Sequence, residues 1–287
     1  MPSAPAGGGS SQRVQAIYAA AAQAAGSAAA VHPLAAQLYE RRDLASAGVA
    51  AASLGCADSA ALASLQPGKT VLDLGCGAGL DVLLAARQVG LAGRVIGVDV
   101  TLEMIALARR HAADTAVANV EFRLGTIEDL PVEDGSVDVV ISNCVASLSP
   151  AKDRLLAEAW RVLIPGGRLA VADLALLAPL PASVRDQLAA WGGIVGLLTV
   201  EAYRAAVTEA GFTGAAVEVL RTFGRTDIMM LENTPLGSGC LTGIPEKDLH
   251  AADGLVASVH VTATRPAASI PQPGPVTGPS TPGALHE

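Results

Sequence analysis

Positive charge is scarce in this sequence. Lys and Arg number 19 against 27 Asp and Glu, a net charge of −8. Affinity for nucleic-acid phosphates or for an anionic membrane rests on clustered basic side chains, so this balance argues against both as partners. A small molecule is the expected partner, with no nucleic acid and no membrane. Long apolar runs are missing too. A bilayer span needs about 20 consecutive apolar residues. The Ala-rich stretch from Ala19 to Ala36 is interrupted by Gln23, Gly26, Ser27, His32 and Pro33. The opening MPSAPAGGGSSQR has no basic region leading into an apolar core, so no secretory signal is expected. The expectation is a cytoplasmic protein. Cysteines there stay reduced, and are more often structural, catalytic or metal-binding than bridged. Only 4 cysteines occur in 287 residues, and no C-x-x-C pair exists, which argues against structural zinc. No metal cofactor is expected. A histidine–acid base is not visible by motif either. His111 falls on a helix expected to be solvated, His32 and His250 in segments of uncertain structure, and His260 on an edge strand.

What the sequence has is apolar residues, 51% of the chain, and strand–helix alternation. Residues 1–11 are Gly/Ser/Pro-rich and expected to be disordered. Residues 12–37 read as Ala-rich helix, broken near Gly26 and at Pro33. Strands are predicted at 70–75, 94–100, 120–126, 137–143 and 168–175. Helices are predicted at 80–90, 101–115 and 151–163, the last with Leu155, Leu156, Ala159, Trp160 and Leu163 on one face. Pro165-Gly166-Gly167 reads as a turn. Continuous apolar strands alternating with helices mean a mostly parallel sheet covered on both faces. A helix at 199–211 and two late strands, 215–223 and 254–266, suggest an antiparallel hairpin at the sheet edge, joined by a long loop. The tail from Ala267 carries five of the 17 prolines and no aromatic residue, and is expected to be disordered over 267–287.

The stretch VLDLGCGAGLD puts Gly75, Gly77 and Gly79 between the first strand and a helix, where a backbone without Cβ atoms can approach a ligand. Three neighbours sharpen this weak signal. Asp99 ends the second strand, where an acid can accept both hydroxyls of a ribose. After the third strand, Ile127 can flank a purine and Glu128 can accept from its amino group. The fourth strand ends at Asn143. All four lie at the carboxyl edges of strands, where open α/β sheets bind ligands. A dinucleotide site would want its third glycine one residue later, before a helix that faces a pyrophosphate. Here Asp81 opens the helix instead, which suits a cofactor bearing an amino group and a sulfonium.

This assembly, over roughly residues 66–175, resembles the class I S-adenosylmethionine-dependent methyltransferases. The resemblance implies a Rossmann-like, mostly parallel seven-stranded sheet with an antiparallel edge strand and helices on both faces. It implies one methyltransferase domain over 12–266, with an N-terminal helical cap and a substrate-side insertion around 176–250. It implies S-adenosylmethionine bound by Asp73, Gly75, Gly77, Asp99, Val100, Met104, Thr126, Ile127, Glu128 and Asn143. Within that class, YERRDLASAGVAAASLGCADSAALASLQPGKTVLDLGCGAGLD and GRVIGVDVTLEMIALAR look like arsenite methyltransferases, as does the region from Asn119 to Asp173.

In that family one cysteine stands in an S-L-G-C motif, matched by Cys56, and one in S-N-C-V, matched by Cys144. A third usually precedes the helix TxEEY, and here Gly193 occupies its place. Trivalent arsenic is soft and thiophilic, so thiolates are its preferred ligands. Ligation by Cys56 and Cys144 leaves its lone pair free to attack a sulfonium methyl. Cys76, inside the glycine loop, reads as a small packing residue. Cys240, in LGSGCLTG, matches no family motif; it replaces the absent third thiol or is a bystander. The resemblance implies arsenite or methylarsenite as acceptor, with a thiol reductant as partner. A small organic carbon, oxygen or sulfur nucleophile is the alternative acceptor, and a metalloid- or cofactor-binding module without turnover the non-enzymatic one.

Overall fold

The computed structural model describes residues 10–25, 57, 59–191, 196–232 and 239–267. Helix α1 spans Ser10–Ala25 and a single turn, α2, Ser59–Leu62. Then β1 (Thr70–Leu74), α3 (Leu80–Val89), β2 (Arg94–Asp99), α4 (Leu102–Asp114), β3 (Val120–Leu124) and β4 (Val137–Asn143) alternate. A short 3₁₀ turn, Ala146–Leu148, leads to α5 (Lys152–Val162) and the long β5 (Leu163–Leu176). Helices α6 (Ala182–Trp191) and α7 (Val200–Glu209) precede β6 (Thr213–Phe223). Helices α8 (Arg225–Glu232) and α9 (Glu246–Ala251) lie before β7 (Val256–Thr264).

The strands form one sheet in the order β3-β2-β1-β4-β5-β7-β6. Six run in one direction, and β7 runs antiparallel between β5 and β6. The expected class I methyltransferase architecture is therefore the one observed. Strand order reverses between β1 and β4, which opens a crevice at their carboxyl ends.

Each inner strand is buried on both sides because side chains alternate between two helical layers. Val71 and Val95 face a layer that includes Val82, Leu83 and Ile105 from α3 and α4, with Ala22 of α1 in it. Leu72, Leu74, Ile96 and Val98 face the opposite layer, with Leu155, Leu156 and Ala159 of α5 and Val207 of α7. Each such aliphatic side chain contributes ~1.5–3 kcal/mol when fully buried.

Three expectations need correction. Pro165-Gly166-Gly167 is not a turn between elements; β5 runs through it. The register with β4 shifts between Val137 and Val139, so the tripeptide forms an irregularity inside the strand. The helix predicted from residue 12 begins at Ser10 and is described to Ala25, so its continuation to 37 lies outside the described residues. The segment 176–250 is not wholly an insertion, because β6 within it belongs to the sheet. The expected tail over 267–287 lies outside the described residues beyond Ala267.

Candidate active site

The glycine loop leaves β1 at Leu74 and enters α3 at Leu80. Gly75, Gly77 and Gly79 all have positive φ, at 69°, 50° and 89°. A Cβ on Gly75 would sit 2.5 Å from Val145 Cγ2, so only glycine lets β1 and the residue after Cys144 close on each other. A Cβ on Gly77 would meet nothing within 4 Å, which leaves this backbone open to a ligand.

Asp99 reaches the loop from β2. Its carboxylate accepts the Gly77 N–H at 2.9 Å and the Thr101 N–H at 2.8 Å. The acid thus ties the glycine loop to the start of α4, where Thr101 makes no capping bond with its side chain. The cap at the start of α4 comes from the Asp99 carboxylate instead. A carboxylate offers about four lone-pair sites, so acceptor capacity remains for hydroxyl donors. Val100 beside it is half-buried.

Asp73 (2% exposed) and Asp81 (7%) are buried with Asp99 (8%) around the same crevice. Burial, then Asp81 and Asp99, raises the Asp73 carboxyl well above the usual carboxylate range. Burial also raises Asp99, against the opposing N–H bonds. Three carboxyl groups crowded in this way disfavour an anionic group such as a pyrophosphate beside them. Burial and the same acids, Asp99 and Asp73, push the Cys76 thiol up. The Cys76 side chain fills the space where a Cβ on Gly97 would fall, 2.8 Å from its sulfur, which is the packing role expected of it.

The remaining sites spread along the same edge. Ile127 is partly buried against the lower core layer. Glu128 accepts from Ser149 Oγ at 2.5 Å, and Thr126 is exposed with a bridge to Asp129. Met104 is 1% exposed and packs in the core beneath α4. Asn143 Nδ2 donates to Asp81 Oδ2 at 3.0 Å and to the Ala57 carbonyl at 2.5 Å. No motif signalled His111, yet its Nδ1 lies 2.9 Å from the Ala78 carbonyl and supports the loop.

Cys144 follows directly in a left-handed conformation, φ 56°, with its N–H donating to Ala172 at 2.9 Å. Its side chain packs against the small cluster of Ala57 and Ala172, which Leu62 and Leu174 also cover. Cys56 and Gly193 lie outside the described residues. Ala57, the neighbour of Cys56, is on Cys144's own cluster. Against expectation, Cys144 is disulfide-bonded. Cys76 and Cys240 are buried thiols. Cys240 is 2% exposed on a turn whose Gly239 carbonyl accepts from Gln187 of α6 at 3.0 Å.

The described methyltransferase-domain family matches residues 65–223, more than half of the chain. The chain belongs to that family. The methyltransferase domain is also similar to an arsenite methyltransferase of Halobacterium salinarum, 50% identical over 183 residues, 63% of this chain and 46% of that protein. It therefore spans about half the length of that relative. A nocamycin O-methyltransferase of Saccharothrix syringae is 36% identical over 104 residues, 36% of this chain and 37% of its own. Among solved structures, CrArsM, an arsenic (III) S-adenosylmethionine methyltransferase from Chlamydomonas reinhardtii, superposes with a TM-score of 0.56 at 28% identity. That match covers 83% of this chain and 74% of the algal one.

Proposed function

We propose that this chain transfers a methyl group from S-adenosylmethionine to trivalent arsenic, as arsenite or methylarsenite, in the cytoplasm. The observation that carries the reading is the position of Ala57. Its carbonyl is held by Asn143 and its side chain packs with Cys144, so the chain enters the carboxyl edge of β4 directly after Cys56. Cys56 and Cys144 then hold the metalloid between them.

When bound, S-adenosylmethionine supplies an electrophilic methyl on a sulfonium. Gly75 and Gly77 give its methionine portion a backbone surface, and Asp73 and Asp81 neutralise its positive charge. Asp99 accepts its ribose hydroxyls, and Ile127 and Glu128 receive its purine. Thiolate ligation presents arsenic with its lone pair directed away from the two sulfurs. Because Cys144 is disulfide-bonded, ligation requires reduction first. An external dithiol supplies two electrons and two protons, giving two protein thiols and an oxidised reductant. Cys240, buried on the turn below α6, is a third ligand or a bystander.

A small organic acceptor is the second reading, favoured by Gly193 in the place of the family's third cysteine and by the similarity to an O-methyltransferase. Methyl transfer from labelled cofactor to arsenite, against a panel of phenols and thiols in the presence of dithiol, separates the two. Arsenite is expected to be methylated, and Cys144→Ser to abolish arsenite binding while cofactor binding survives, because a neutral hydroxyl is a poor soft-metal ligand. Full arsenite affinity in both Cys56→Ser and Cys144→Ser sinks the arsenic reading. Cys240→Ser weakens arsenite binding if Cys240 is a ligand and leaves it alone if not.

A further inference from the structure

Strand β5 carries an acid with no part in the cofactor crevice. Asp173 is fully buried, one residue past Ala172, which pairs with Asn143 of β4. Its two oxygens divide their work. Oδ2 accepts the Tyr203 hydroxyl of α7 at 3.1 Å, and Oδ1 accepts the Ser147 N–H at 3.3 Å. Ser147 lies in the 3₁₀ turn that begins two residues after Cys144.

Lys152 holds the same turn from the other end. Its ammonium donates to the Ala146 carbonyl at 2.7 Å. The segment entering at Gly196 closes the arrangement, since the Gly196 N–H donates to the Ser147 carbonyl at 3.1 Å. A Cβ on Gly196 would land on the Lys152 nitrogen and 2.6 Å from the Ser149 carbonyl, so glycine is what allows this approach. Burial opposes ionisation of Asp173, and the Leu174 and Ser147 N–H groups, Lys152 and the Tyr203 hydroxyl counter it without overcoming it. Burial likewise lowers Lys152, against the pull of Asp173. Isolated buried charges are unfavourable, so the three side chains sustain one another.

We propose that Lys152, Asp173 and Tyr203 form a positioning network that fixes the turn after Cys144 against the segment at Gly196, and thereby holds the backbone that follows Cys144 in place beside the acceptor. The proposal rests on the reading above only for the identity of the acceptor. The three residues do not touch the acceptor; they act through the backbone of Ala146, Ser147 and Gly196.

The test uses the reduced full chain with Tyr203→Phe, Asp173→Asn and Lys152→Met. Tyr203→Phe removes one oxygen and keeps the ring, so it folds even where the charge changes do not. Amide hydrogen exchange is read at Ser147, Gly196 and Gly77, beside cofactor affinity and steady-state kinetics. Each variant is expected to speed exchange at Ser147 and Gly196 together and leave Gly77 unchanged. The arsenite KM is expected to rise ~10-fold, the weight of one hydrogen bond, with kcat and cofactor affinity held within about twofold. Unchanged exchange at both amides in the variants that fold overturns the network. So does a parallel fall of kcat, cofactor affinity and melting temperature, which marks general loosening. If the wild type leaves arsenite unmethylated, the arsenic reading fails by itself. The network is then judged by the same exchange pattern and by KM for whichever organic acceptor is methylated.

Discussion

The two flanks of the sheet are built on different terms. On the β2 and β1 side, every residue of β2 after Arg94 and of β1 after Thr70 is buried. On the β6 side the strand has no buried residue, with Val219 43% and Leu220 38% exposed. Burial on two faces holds the first flank, while the second is held by pairing along the long β7. The glycine loop, Asp73 and Asp99 stand on the rigid flank. The turn after Cys144 and the Gly196 segment stand at the end of β4, toward the looser one. A methyltransferase that keeps one cofactor and varies its acceptor needs this division of labour.

Substitutions on either flank sharpen or break the contrast. The largest effect belongs to Gly75→Ala, where a positive φ and the Val145 clash combine. It should destabilise by ~2–4 kcal/mol in urea titration and remove cofactor binding. A stable, cofactor-binding variant would mean that the two flanks can part at this contact. Next is Arg265→Ala. Arg265 caps α5 through the carbonyls of Trp160, Arg161 and Leu163 and stacks on the Trp160 ring 3.8 Å away. Its loss should lower stability by ~1.5–3 kcal/mol without changing cofactor affinity in calorimetry. A matching fall in affinity would erase the distinction between the flanks. Asp99→Ala should weaken S-adenosylmethionine by ~1–3 kcal/mol. Wild-type affinity there would put the ribose elsewhere.

The smallest effect is expected on the exposed edge at β3. The Arg123 side chain, then that of Arg94, holds the Glu121 carboxyl down at about 2. Its folded pKa is depressed, so its contribution is fully present above the ordinary carboxylate range, near 4.5. It fades as pH falls from there toward 2. Glu121→Gln should therefore lose less than about 1 kcal/mol at neutral pH, the exposed pair being screened, and nothing at the acid end. A melting-temperature difference between variant and wild type that grows toward acid pH would reverse that sign.

The rigid flank was legible because burial on both faces writes uninterrupted apolar runs such as RVIGVDV, and the glycines, Asp99 and Asn143 follow at the strand ends. Local chemistry misleads where pairing overrides it. Pro165-Gly166-Gly167 has turn composition, but the Gly166 N–H and the Arg265 carbonyl, and the Arg265 N–H and the Gly167 carbonyl, bond across to keep the strand going. Helices α6, α8 and α9 are short and partly exposed, without the periodic apolar face that gave α5 away. Asp173 did leave a signal, one acid inside the apolar run RLAVADLA, though only the fold brings Tyr203 and Lys152 to it. The Cys144 disulfide has no local signature in the sequence around it.

The contact between Gly75 and Val145 has a mechanical meaning. Hydrogen bonds stretch by tenths of an ångström with little resistance, but atoms at van der Waals contact barely compress. Val145 is the residue after Cys144, and Gly75 is the first of the glycine loop. The separation between the end of β4 and the glycine loop is thus set by a hard stop, as a gauge block sets the gap of an instrument. Warming or swelling of the neighbouring elements can tilt them above that stop. It cannot bring the loop closer to the strand end.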